Sequence, residues 1–162
     1  MILPAAAQDA VPQRQPVPVV VAGQPGAGKT QTADLVQAVM DRRGGALRVG
    51  RDLYEPAHRH YPDALAADVR TAGALVRADT ARWQAAVETH VREMGFDAVA
   101  ESALADPNDL RASPRAYRAA GHRIEVVAPA CLGALSQLGI VDRLATGDHG
   151  WRGRSSTGPA RG

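Results

Sequence analysis

Residues 23 to 30 read GQPGAGKT and fit the pattern G-x-x-x-x-G-K-[ST] without a mismatch. Each residue type has a physical use. Gly23, Gly26 and Gly28 permit backbone angles and close approaches that a side chain blocks, so successive N–H groups can converge on phosphate oxygens. A helix beginning near Lys29 adds the positive end of its dipole at the same point. The Thr30 hydroxyl suits a magnesium ion that bridges terminal phosphates. Gln24, Pro25, Ala27 and Gln31 complete a nucleotide-binding stretch over residues 23 to 31. Lys29 is the only lysine, and the remaining eighteen of the nineteen basic residues are arginines. A planar guanidinium is too broad for this position, whereas an ammonium on a slim stem threads over the loop to the β- and γ-phosphates.

Two carboxylates fall just beyond apolar runs: Asp52 after ALRVG and Glu101 at the end of DAVA. Ligands of parallel α/β sheets sit at the carboxyl ends of strands. Phosphoryl transfer needs a carboxylate to orient or deprotonate the attacking hydroxyl, and often another to organise magnesium or substrate. A helix N-cap or a solvated loop residue is the alternative for each. His58 and His60 in HRH lack the cysteines or clustered carboxylates of a metal site and read as a polar loop near substrate. Arg111, Arg115 and Arg118 share one face of a helix, read as solvated, with a phosphate-binding strip as the alternative.

The elements that must position these groups follow from periodicity. VPVVVA (17–22) is a continuous β-branched run ended by glycine, as in a strand buried on both faces. Residues 29–42 carry Ala33, Leu35, Val36, Val39 and Met40 at helical spacing, closed by Gly44 and Gly45. ALRVG (46–50) predicts a second strand, followed by a polar segment containing Pro56 and Pro62. Trp83, Val87, Val91 and Met94 predict a helix over 79–94. FDAVAES (96–102) predicts a third strand, 108–120 a helix closed by Gly121, and RIEVVAPA (123–130) a fourth strand. Alternating strands and helices imply right-handed βαβ units and a mainly parallel sheet covered on both faces, an α/β three-layer sandwich of the P-loop NTPase type.

Composition bounds the remainder. A length of 162 residues suits one domain, and aromatics at 4% leave a core of Ala, Val and Leu. Residues 1–16 read as a flexible lead-in, 17–146 as the folded domain, and 147–162 as a disordered Gly/Arg-rich tail. The net charge of +2 resides in that tail, where Arg152, Arg154 and Arg161 oppose Asp148. A basic tail on a neutral body gives no basic face, so no nucleic-acid partner is expected. Cys131 is the only cysteine, which suits a reducing cytoplasm. No apolar run approaches the roughly 20 residues of a membrane span, and the first residues lack the pattern of a secretory signal.

Three ordered segments, VVVAGQPGAGKT, RDLYEPAHRHYPDAL and DAVAESALADPNDLRASPRAYRAAGHRIEVVAPA, resemble the zeta-toxin family of P-loop kinases, especially its short actinobacterial forms. The likeness runs from about Val17 to Arg143. It implies a kinase that uses ATP or GTP with Mg2+ to phosphorylate a hydroxyl of a small molecule, in characterised members the 3′-hydroxyl of the sugar in UDP-N-acetylglucosamine, and it allows a protein antitoxin as partner. By the resemblance, Asp52 is the general base, and Lys29 with Thr30 contact nucleotide and metal. Glu101 matches a glutamate that holds the sugar nucleotide, and Arg143 and Arg154 correspond to two lid arginines on the transferred phosphate, with Arg152 the alternative to Arg154. Departures lie at Ala103 and Ala105, where the family often has Thr and Arg, and at Glu55, where it commonly has Arg. The Gly/Arg-rich ending resembles a shortened copy lacking a further strand and helices. The alternatives are another small-molecule P-loop phosphotransferase and a non-catalytic nucleotide-binding protein.

Overall fold

A computed structural model describes residues 10–102 and 109–146, with side chains described over 10–102 and 112–141. Strand β1 (Pro18–Ala22) leads through the glycine loop into helix α1 (Lys29–Asp41), and β2 (Ala46–Val49) follows. Short helices α2 (Arg51–Tyr54) and α3 (Tyr61–Ala67), joined by a 3-10 turn at Glu55–Ala57, precede the long helix α4 (Ala72–Met94). Then come β3 (Asp97–Ser102), α5 (Asp109–Ala119), β4 (Glu125–Val127) and α6 (Gly133–Thr146).

The four strands are all parallel, in the order β2-β3-β1-β4. Side chains alternate across a strand, and the sheet accordingly feeds two cores. Val19 and Val21 of β1 and Val99 of β3 pack with Ala33 and Met40 of α1. Leu47 and Val49 of β2 and Ala98 of β3 pack on the other face with Val87 and Val91 of α4 and Tyr117 of α5. The expected three-layer α/β sandwich is therefore the observed one. Tyr61, Ala64, Ala72 and Val76 form a satellite cluster under the short helices.

Several elements differ from the expectation. Helix α4 starts seven residues before 79, because the buried Ala72 and Val76 continue its apolar face at helical spacing. Pro56 and Pro62, read as loop residues, occupy first turns of the 3-10 turn and of α3, where the missing N–H costs nothing. In α1 only Ala33 and Met40 are buried, while Leu35 and Val39 are exposed; the apolar residues of that helix fall on two sides. The fourth strand contracts to three residues at the sheet edge with Val126 exposed. Helix α6 had no sequence signal, since Gly133 and Gly139 interrupt its apolar pattern.

Residues 11–16 are tied to the body. The Val11 N–H donates to the Gly44 carbonyl at 2.9 Å, that of Gln13 to Gly95 at 2.8 Å, and that of Arg123 to Pro16 at 2.9 Å. Residues 1–9 and the tail 147–162 lie outside the described residues. No helix among the described residues is long and apolar enough to cross a membrane.

One buried acid locks this arrangement. Asp97, fully buried at the start of β3, accepts the Val17 N–H at 2.7 Å and pairs with the Arg43 guanidinium at 2.9 Å. It thereby joins the entry to β1, the end of α1 and β3. Asp97→Ala is expected to lower unfolding free energy by about 1–3 kcal/mol, because it leaves the buried Val17 N–H without its acceptor. Urea denaturation measures this, and a loss under about 0.5 kcal/mol would remove the residue from that role.

Candidate functional site

The loop between β1 and α1 is built by two glycines in left-handed backbone geometry, Gly26 at φ 75° and Gly28 at φ 76°. L-residues adopt that region at a cost. Space is closed as well: a Cβ on Gly26 would lie 2.2 Å from the Ser136 carbonyl oxygen. Gly23 differs from the expectation, since its φ is ordinary and a Cβ there would meet Lys29, Pro129 and Ala27 only at van der Waals distance. Its N–H donates to the Ser102 carbonyl at 3.2 Å, tying the loop entry to β3. Ala27 closes a turn by donating its N–H to the Gln24 carbonyl at 3.2 Å. Gly28 caps α1, accepting both the N–H and the hydroxyl of Thr32 at 3.0 Å.

Lys29 is the first residue of α1, and its ammonium arches back to the Gln24 carbonyl at 3.0 Å. The charge thus sits over the loop whose amides precede it. Gln31 lies on the exposed side of the same turn. Thr30 points the other way, its hydroxyl donating to Glu101 Oε2 at 3.3 Å. The second carboxylate oxygen of Glu101 accepts Arg48 Nη2, and Arg48 Nη1 reaches Asp34 Oδ1 at 2.9 Å. Register explains the meeting: Val21 of β1 stands opposite Glu101 of β3, so its carboxylate emerges beside the loop. Glu101 is therefore engaged with Thr30 and Arg48, and Arg48 is a member of the site that periodicity did not reveal, being a lone polar residue in a short strand.

Asp52 lies elsewhere along the same sheet end. Its strand, β2, neighbours β3 and not β1, so Asp52 follows a strand that is one removed from the strand entering the loop. It is exposed in the first turn of α2, and Gly50 just before that helix lies against Glu101, at 3.9 Å from a Cβ added there to the Glu101 Cβ. Glu55, three residues on, adds a second negative charge. Burial first, then the charge of Asp52, holds the Glu55 carboxyl above its usual range, with the Tyr61 hydroxyl bond and Arg77 opposing. The Tyr61 hydroxyl is pushed up to about 12, by burial first and then by Glu55. The position that the resemblance assigns to a cation thus carries an acid bonded to Tyr61.

Helix α6 supports the loop from its outer side. Ser136, buried, donates its hydroxyl to the Pro25 carbonyl at 2.5 Å, and Ile140 packs against Gly26. Gly139 lets the helix approach closely: a Cβ there would stand 3.0 Å from the Gly26 carbonyl oxygen. Cys131 Sγ lies 3.8 Å from Gln24 Nε2. Arg143 belongs to α6, one turn beyond the Gly139–Ile140 contact in sequence, and its side chain is outside the described ones. Arg154, its alternative Arg152, and the departures Ala103 and Ala105 lie outside the described residues.

His58 is structural. Its Nε2 bonds Asp79 of α4 at 3.1 Å and its Nδ1 accepts the His60 N–H at 3.2 Å, so both nitrogens are committed to fastening the 58–60 loop. Among the described residues no group of three or more His, Cys, Asp or Glu is placed to hold a metal. Arg115 and Arg118 are exposed, as expected for a solvated face.

Three comparisons bear on this geometry. The zeta-toxin family model matches residues 4–156. A structure from the PezAT chromosomal toxin–antitoxin system of the human pathogen Streptococcus pneumoniae superposes with TM-score 0.80 at 18% identity, covering 90% of this chain and 59% of that one. A putative kinase from Chloroflexus aurantiacus superposes with TM-score 0.64 at 20% identity, covering 84% of this chain and 71% of that one. The chain thus spans about three fifths of the length of the Streptococcus protein. No curated protein matches it.

The two left-handed glycines make different demands from Gly23, and substitution separates them. Gly26→Ala is expected to destabilise the protein by about 1–3 kcal/mol through strained φ and collision with α6. Gly23→Ala is expected to stay within about 1 kcal/mol of the parent. Equal losses at both positions, measured by chemical denaturation, would contradict this account of the loop. A model match over residues 4–156, with a fold shared by the Streptococcus and Chloroflexus structures, places the chain in the zeta-toxin family.

Proposed function

We propose that the chain is a P-loop phosphotransferase that moves the γ-phosphate of ATP or GTP to a hydroxyl of a small molecule. The observation that carries this reading is the loop itself: Lys29 arched over a glycine turn, with the Thr30 hydroxyl beside it turned towards Glu101. Membership of the zeta-toxin family and a fold shared with a putative kinase support it.

The residues present fit Mg2+. A hydroxyl whose proton is directed to a carboxylate leaves its oxygen lone pairs outward, and magnesium takes few protein oxygens together with substrate phosphates and water. When bound, the ion neutralises charge on the β- and γ-phosphates. The remaining work falls to the chain. Loop amides and the α1 N-terminus hold the phosphates, and Lys29 counters charge at the bridging region as the bond from the γ-phosphorus to the β–γ oxygen breaks. Asp52 accepts the proton of the acceptor hydroxyl while its oxygen bonds the γ-phosphorus, leaving a nucleoside diphosphate. By the family resemblance, Arg143, with Arg154 as the further candidate, counters charge on the transferred group.

The acceptor is the finer question. UDP-N-acetylglucosamine is the first compound to test, on the strength of the family. A protein antitoxin is the corresponding partner, as the Streptococcus neighbour belongs to a toxin–antitoxin system.

Incubation with labelled ATP, magnesium and a panel of UDP-sugars and free sugars tests the reading. Lys29→Ala is expected to reduce transfer by about 100-fold or more while the fold persists. Asp52→Asn is expected to bind nucleotide within about threefold of the parent and to lose transfer by about 100-fold or more. An unaltered rate in Asp52→Asn would remove it as base. Nucleotide binding without product for any acceptor would favour a non-catalytic binding protein.

A further inference from the structure

We infer that Arg48 is a positioning residue of the phosphate site, whose guanidinium holds the Glu101 carboxylate so that it orients the Thr30 hydroxyl. This rests on the nucleotide and magnesium reading above and extends it to a residue outside the loop.

Three elements converge at Arg48. On β2 it stands opposite Val99 of β3, and Glu101, two residues further along β3, emerges on the face that Val99 shares. Helix α1 covers that face through Ala33 and Met40, and Thr30 and Asp34 are four residues apart on it, on one side of the helix. Arg48 fills the corner between them. Nη1 reaches Asp34 at 2.9 Å and Nη2 pairs with Glu101 Oε1, leaving Oε2 to accept the Thr30 hydroxyl at 3.3 Å.

Burial separates this set from ordinary surface ion pairs. The Arg48 and Glu101 side chains are 20% and 16% exposed, so charge-assisted bonds between them are little screened. Its neighbours Leu47 and Val49 are fully buried on the opposite face, and an aliphatic residue at position 48 would cover Val99 without introducing a charge. A guanidinium instead spans two carboxylates with separate nitrogens, which a single ammonium cannot do with the same geometry. The Arg48 backbone is held as well, its carbonyl accepting the buried Tyr54 hydroxyl at 3.2 Å. Without Arg48, Glu101 loses the partner that fixes the plane of its carboxylate. Thr30 then loses a fixed acceptor, while the loop amides and Lys29 are untouched.

That separation makes the role measurable by binding alone. Calorimetric titration of ATP, with magnesium and with chelator, gives the factor by which magnesium tightens nucleotide binding. Arg48→Met is expected to leave the magnesium-free affinity within about twofold and to cut the magnesium factor about tenfold, the loss of one charge-assisted bond. Arg48→Lys, which keeps the charge without the fork, is expected to fall between Met and wild type. In a Glu101→Gln background, Arg48→Met is expected to add less than about twofold, since both substitutions disable one relay. Thermal melts confirm folding, and if Arg48→Met does not fold, the comparison is read on Arg48→Lys. An unchanged magnesium factor in the folded variant, or an equal loss in both backgrounds, would overturn the inference. Wild-type protein that binds no nucleotide would overturn the phosphate reading itself, a result distinct from either.

Discussion

Reversal of the chain after β1 depends on two peptide units held in left-handed geometry, at Gly26 and Gly28. This constraint lets a buried parallel strand pass directly into a helix whose N-terminus lies at the turn. Everything near the site is arranged around it. β3 lies beside β1 and delivers Glu101 to the start of α1, β4 lies on the other side, and α6 returns to press Ser136 and Gly139 onto the loop. The loop is thus clamped between a carboxylate relay on its inner side and a close-packed helix on its outer side.

Charge is distributed to match. Lys29 directs its ammonium over the turn, while Thr30 sends its hydroxyl proton to Glu101. Adjacent residues therefore present an ammonium and a hydroxyl oxygen side by side, the pair that the proposed function assigns to phosphate and Mg2+. Farther along the sheet end, Asp52 and Glu55 stand on successive turns, with Glu55 raised above the ordinary carboxyl range by burial and by its neighbour. An acid at position 55 makes the surroundings of Asp52 more negative than an arginine would.

Much of this was legible in the sequence because it rests on local rules. The buried run PVVVA, the glycine loop and α1 follow from β-branching, glycine spacing and helical periodicity, and the alternation of elements sets a parallel sheet. Glu101 was found by its place at a strand end, although its bonds to Thr30 and Arg48 needed the register of three elements. Arg48 escaped notice because tertiary pairing, not periodicity, gives it a role. Helix α6 escaped because Gly139, which looks like a breaker, serves close packing against Gly26. Pro56 and Pro62 misled for a related reason: a proline at a helix start and one in a loop read alike. Arg143 and Arg154 stay as the resemblance left them, their side chains outside the described residues.

The central claim is that this loop grips a nucleoside triphosphate, and direct titration of the folded chain with ATP or GTP in magnesium tests it. The account predicts saturable binding at one site, weakened about tenfold or more by Lys29→Ala. Folded protein with intact circular dichroism that takes up neither nucleotide would contradict it.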